Sequence, residues 1–204
     1  MTSSRDDILA AIRQAALEPA PDPDLTGDWT TYPNPREQFA EMLCAVGGRC
    51  EPVASTADIT RILNELPAYA EAKRVCSLVD GVGRNDVSLG PEVDPHGLHD
   101  LDFAIAPAEF AVAENAAVWV TDEVVQPRAV LFIAQHVALV LPADQIVHNM
   151  HQAYQRLSFS KAGFGCFISG PSKTADIEQS LVIGAQGPRS LTVFLLEEQT
   201  DGKD

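Results

Sequence analysis

The chain has 204 residues, 46% of them hydrophobic, and a net charge of −15. That is ample apolar content for one large domain, or for a domain with an appended arm. The acidic surface repels nucleic acid and anionic membranes, so neither is an expected partner. An anionic ligand would need a local positive site, which directs attention to Lys173, Arg128 and Arg189.

From the N-terminus, Ser3 or Ser4 caps a first helix with Asp6 and Asp7 in its first turn. Ile8, Ile12 and Ala15, with Leu9 and Ala16, form its apolar stripe. Residues 18–35 hold five prolines and read as a stiff, extended linker. Residues 1–34 are therefore expected to form an arm, packed either on its own domain or on a second copy, and residues 35–204 the main domain. Pro35 starts a second helix, which Gly47-Gly48 ends. A strand at 49–53, a helix from Thr56 disturbed by Pro67, and a strand at 75–79 follow. Helices alternating with strands point to parallel pairing through crossovers.

Residues 80–100 are loop-rich, and their His96 and His99 read as solvated loop residues, not metal ligands. A strand at 101–106, a short helix from Pro107 to Glu114 and a strand at 117–121 are expected next. Residues 126–135 form a connection of undefined type. His136 opens a strand closed by Pro142, where a histidine is usually a hydrogen-bonded structural residue. Residues 144–157 then show helical spacing, with Asp144, His148 and His151 on one solvated face.

Cys44, Cys50, Cys76 and Cys166 form no Cys-x-x-Cys pair, and no histidine stands at finger-like spacing from them. They read as free thiols, with no iron–sulfur or zinc motif, and no cofactor or metal is expected. No apolar run approaches the ~20 residues of a spanning helix. The N-terminus lacks the basic and apolar regions of a signal peptide, so a cytoplasmic protein is expected.

Residues 165–196 are the most informative stretch. The pattern reads as strand, Gly-Pro-Ser-Lys-Thr turn, short helix, Gly/Pro turn and buried strand. Ser172 and Thr174 are capping residues, and Asp176 and Glu178 suit the first helical turn. A strand entering a helix through such a turn presents backbone N–H groups, two hydroxyls and the Lys173 ammonium to a phosphate or carboxylate. The plainer alternative is that the hydroxyls only cap and the lysine is solvated. A Walker loop is excluded, because its Gly-x-x-x-x-Gly-Lys pattern is missing.

Residues 170–178 (Gly-Pro-Ser-Lys-Thr-Ala-Asp-Ile-Glu) with 184–188 (Gly-Ala-Gln-Gly-Pro) resemble the C-terminal signature of the lactate-utilisation protein C family, the LUD domain. Weaker resemblance extends through Ala113-Glu114 and residues 142–147 to the N-terminal opening. The resemblance implies a three-layer α/β fold with a mostly parallel sheet, similar to the sugar-phosphate isomerase and CoA-transferase group. Ligands of such sheets bind at the carboxyl ends of the strands, where the turn at 170–174 is therefore expected. It implies a non-redox role in oxidising L-lactate to pyruvate beside iron–sulfur partner proteins. The family often has His where Gln186 stands, and Glu-Thr-Gly where this chain has Glu114-Asn115-Ala116.

Glu114 and His136 are the candidate catalytic residues. The first matches a carboxylate that attacks a thioester in the CoA-transferase relatives, and the second a position where the family commonly has His. Gly170, Ser172, Lys173, Thr174, Asp176, Glu178, Asn115 and Gln186 are the candidate ligand-binding set, for a small anionic ligand. Two further functions stay open at this point. One is an isomerase or transferase acting on a phosphorylated or CoA-linked acid. The other is an interaction subunit that forms a homo-oligomer through its arm.

Overall fold

A computed structural model describes residues 3–15, 21, 25–90, 92–158, 163–175 and 180–197. The helices and strands are α1 (Ser4–Gln14), α2 (Pro35–Ala45), β1 (Arg49–Val53), α3 (Thr56–Glu65), α4 (Pro67–Ala70), β2 (Val75–Ser77), β3 (Phe103–Pro107), β4 (Phe110–Val112), β5 (Ala117–Thr121), α5 (Val130–Ile133), β6 (His136–Pro142), β7 (Ile146–Val147), α6 (Met150–Arg156), β8 (Gly165–Ile168), β9 (Lys173–Thr174), β10 (Val182–Ile183) and β11 (Ser190–Leu196).

The helix starts follow from their caps. Ser3 and Asp6 form a reciprocal capping box on α1. Asn34 accepts from the Glu37 N–H ahead of Pro35, Ser55 from the Asp58 N–H, and Asn149 from the Gln152 N–H.

The central sheet has the strand order β1-β11-β6-β3-β2, and every neighbouring pair in it is parallel. Its two faces bury separate clusters. On one, Ile59, Leu63 and Tyr69 of α3 and α4 pack on Phe103, Ala138 and Phe194. On the other, Phe39 and Leu43 of α2 join Ala111 and Val118 of a second sheet against Leu139 and Val193. The central strands β6 and β11 are thus apolar on both faces, which is why they read as nearly continuous hydrophobic runs. The second sheet, of order β7-β4-β5-β8, is mixed, and α6 covers its outer side through Ala153 against Phe110 and Val147. The expected α/β architecture, a mostly parallel sheet with helices on either side, is what the chain adopts.

Four local expectations are corrected. The helix expected at 107–114 is strand β4, since Phe110, Ala111 and Val112 are all buried between β5 and β7. The helix expected at 144–157 begins only at Met150, because Ile146 and Val147 pair with Ala111 and Val112 instead. Asp144, His148 and His151 therefore do not share one helical face. The helix expected after Thr174 is replaced at both its ends by strand, with Val182–Ile183 antiparallel to Lys173–Thr174. Among the described residues no helix begins at the Gly-Pro-Ser-Lys-Thr turn to supply the anticipated N-terminal dipole. Finally, that turn was expected at the carboxyl ends of the parallel strands, and it lies at their amino ends. Gly170 abuts Val46, just before β1, and the Ser172 N–H donates to the Pro188 carbonyl, just before β11 (2.8 Å).

Among the described residues no helix is long and apolar enough to cross a membrane. Helix α1 buries none of its side chains, and Ile8 and Ile12 stay exposed. Residues 29–32 are held against the domain. Trp29 stacks on His151 with ring centroids 3.5 Å apart, the Tyr32 N–H donates to His148 Nδ1 (3.0 Å), and Asn149 Nδ2 donates to the Thr30 carbonyl (2.9 Å).

Candidate functional site

Parallel register lines up Val75, Phe103, His136 and Ser190 as one transverse row of the central sheet. The residue before each of them is Arg74, Asp102, Gln135 and Arg189. Ladder hydrogen bonds extend to this preceding row: the Asp102 N–H donates to the Arg74 carbonyl (3.0 Å) and the Arg189 N–H to the Gln135 carbonyl (2.7 Å). Four polar side chains from four adjacent strands are therefore set side by side by backbone geometry, which is the rigid mounting a binding site needs. With Lys73 and Asp100 they line a cleft of about 580 Å³.

Asp102 Oδ2 accepts from the Lys73 and Arg74 N–H groups (2.8 and 3.0 Å). Arg74 is engaged by Asp100 and by the Gly97 carbonyl.

His136 lies one residue inside the row. Its Nδ1 is 2.7 Å from Ser190 Oγ and its ring stacks on Phe103. Burial, reinforced by the Arg189 charge and opposed by Asp102, holds its pKa below the ordinary imidazole value. The fold thus favours neutral His136. Its contribution to stability is complete above the unfolded value of ~6.5 and is lost as pH falls below that and through the folded value. We predict that stability in urea drops less between pH 7.5 and 5 in His136→Gln than in the wild type. Equal slopes would show that His136 carries no such linkage.

The other candidates fall in two places. Gly170, Ser172, Lys173 and Thr174 lie at the β8–β9 connection, facing residues 184–188: the Gly184 N–H donates to the Ser172 carbonyl (2.9 Å), and Gly187 abuts the Ser172 side chain. Gln186 is exposed beside them. The Lys173 ammonium donates to the Val46 carbonyl at the end of α2, where a cation suits the helix dipole. Asp176 and Glu178 lie outside the described residues. Glu114 and Asn115 sit in the β4–β5 turn. The Asn115 carbonyl accepts from Ser169 Oγ (2.7 Å), which joins this turn to the residue before Gly170. Glu114 Oε1 accepts from the Met150 N–H (2.8 Å) and so helps hold the first turn of α6. We predict that Glu114→Ala lowers stability by about 1–2 kcal/mol while Glu114→Gln, which keeps an acceptor, loses under half of that in urea titrations. Equal losses would mean that the charge, not the acceptor, matters.

His136 and Arg189 meet at the sheet's edge, whereas Glu114 belongs to the other group. Sequence reasoning passed over Lys73, Arg74, Asp100, Asp102 and Gln135. The available signal was a charged or polar residue directly before each apolar strand.

Comparison with known proteins fits this architecture. Residues 96–196 match the family model of the LUD domain. The chain therefore carries a LUD domain over these residues. The matched LUD segment runs through β3 to β11, and so includes Asp100, Asp102, Gln135, His136 and Arg189, while Lys73 and Arg74 precede it. This LUD protein is 29% identical over 210 residues to the Lactate utilization protein C of Geobacillus thermodenitrificans, covering 96% of this chain and 81% of that one. It is 31% identical to the protein of that name from Exiguobacterium sp., over 54% of this chain and 51% of the relative. It is 25% identical to that of Oceanobacillus iheyensis, over 55% and 50%. In these shorter matches the chain spans about half the length of the relatives. The crystal structure of a DUF162 family protein from Deinococcus radiodurans shares the fold, with a TM-score of 0.57 at 18% identity, covering 79% of this chain and 96% of that chain.

Proposed function

We propose that this LUD protein is a non-redox component of lactate utilisation, supporting the oxidation of L-lactate to pyruvate together with iron–sulfur partner proteins in the cytoplasm. The observation that carries the reading is the alignment with a Lactate utilization protein C along 96% of the chain. Three of the four thiols agree with a non-redox part. Burial pushes Cys50 up to about 11 and Cys76 up to about 12, and it raises Cys166 as well, so these groups are poor thiolates for metal or disulfide chemistry. Electron transfer is then left to the partners. The exposed Ile8 and Ile12 of α1 suit an arm, residues 1–34, that packs on one of them or on a second copy.

Deletion of the gene should abolish growth on L-lactate, and the tagged chain purified under native conditions should bring down iron–sulfur proteins. Ile8→Asp/Ile12→Asp should reduce that recovery. Normal growth of the deletion strain on L-lactate would refute the reading.

A further inference from the structure

The cleft at the amino ends of the central strands has a charge pattern that internal pairing does not account for. Its cations are Lys73, Arg74 and Arg189, and its carboxylates are Asp100 and Asp102. Arg74 is matched by Asp100, and Asp102 is matched by two backbone N–H groups. That leaves the Lys73 ammonium and the Arg189 guanidinium, both exposed, without a hydrogen-bond or ion-pair partner among the described residues. Nearby cations are used differently: Lys173 is tied to the Val46 carbonyl and Arg84 to the Ala72 carbonyl and to Asp86. On a chain of net charge −15, a lining of three cations against two carboxylates leaves the cleft with one net positive charge, which favours small anions there.

We propose that this cleft binds a compact oxyanion, the carboxylate or phosphate of a small acid, between Arg189 and Lys73, with the Gln135 amide as a further donor. The planar guanidinium fork accepts two oxygens of such a group and the ammonium adds a point charge. Register fixes the backbone at Gln135 and Arg189 before the ligand arrives, which confines the ordering cost of binding to their side chains. No residue of the Gly-Pro-Ser-Lys-Thr turn lines the site, and the proposal stands or falls independently of the role in lactate utilisation.

Calorimetric titration of the full chain with L-lactate, pyruvate and inorganic phosphate in turn tests it, and the three arms separate a carboxylate from a phosphate ligand. Saturable binding of at least one is expected. Arg189→Ala and Lys73→Ala should each weaken it by about tenfold or more, the usual effect of losing a hydrogen bond from a charged donor. Arg61→Ala on α3, whose arginine is already paired with Asp58 and Glu65, should leave it unchanged. A second readout is the ring-proton titration of His136 by NMR. Anion binding at Arg189 should raise its midpoint, and Arg189→Ala should raise it without ligand and remove the response. No saturable binding of any of the three, or equal affinity in the wild type and both cleft variants, overturns the proposal. Failure to bind would leave the growth phenotype on L-lactate untouched, so the two readings fail separately.

Discussion

Phe194→Ala should lower stability by about 3–5 kcal/mol, the range for emptying a large aromatic site in a close-packed core. Phe194 is fully buried in β11, a strand with a parallel partner on each side. Its ring lies in the cluster where Ile59 and Leu63 of α3 and Tyr69 of α4 meet Phe103, Ala138 and Val140 of the sheet. Truncation opens a cavity bounded by rigid strands on one side, which have little freedom to collapse into it. Phe194→Leu keeps most of the volume and should lose no more than about 1.5 kcal/mol. Urea unfolding followed by far-UV circular dichroism measures both. A loss below about 1.5 kcal/mol for the alanine variant would mean that the helical layer repacks freely and that α3 and α4 do not lean on the sheet as described.

The same strand shows what sequence could and could not reveal. Residues 190–196 and 136–142 were legible because a strand buried on both faces has to be apolar throughout. Helices α2 and α3 were legible because their punctuation is local: Pro35 and Gly47-Gly48 bound the first, and Pro67 interrupts the pattern that starts at Thr56. The misread segments are those where local signals agreed with helix and tertiary pairing decided otherwise. Ile146, Val147, Met150, Tyr154 and Leu157 have helical spacing, yet the first two are taken by β4 and Tyr154 remains exposed. Pro107 looked like a helix start, but it ends β3, and Ala108 donates its N–H to Val140 in the neighbouring strand. Ser172 and Thr174 carry side chains that serve helix caps and tight loops equally well, so the β9–β10 ribbon left no distinctive trace. The cleft was least visible. Arg74, Asp102, Gln135 and Arg189 come from four separate parts of the chain, and only strand register brings them into one row. Arg189 alone drew notice, and it did so through charge.

The Gly-Pro-Ser-Lys-Thr motif has a structural reason for its first residue, and Gly170→Ala should expose it with a loss of about 2–4 kcal/mol. Two effects combine. Gly170 has φ +71°, a left-handed conformation that strains a side-chain-bearing residue by about 1–3 kcal/mol. In addition, an added Cβ would stand 2.7 Å from the Val46 carbonyl oxygen and 3.0 Å from Val46 Cγ2, and a backbone atom cannot rotate away as a side chain would. Overpacking of that kind adds about 1–3 kcal/mol, partly relieved if the turn shifts. Such a shift would also pull on the Lys173 ammonium, which is bonded to the same Val46 oxygen. Gly81→Ala separates the two causes, because Gly81 has φ +70° with open space around its Cβ position and should lose only about 1–2 kcal/mol. For a domain of this size each kcal/mol moves the melting midpoint by about 2–4 °C, so the two variants should be resolved in one thermal series. If Gly170→Ala melts no lower than Gly81→Ala, the close approach of the turn to the end of α2 contributes nothing. The motif would then owe its glycine to conformation alone. If it melts well below, the turn is a clamp that fixes the C-terminus of α2 to the strand leading into β11, and the glycine is required by a neighbour more than a hundred residues away in sequence.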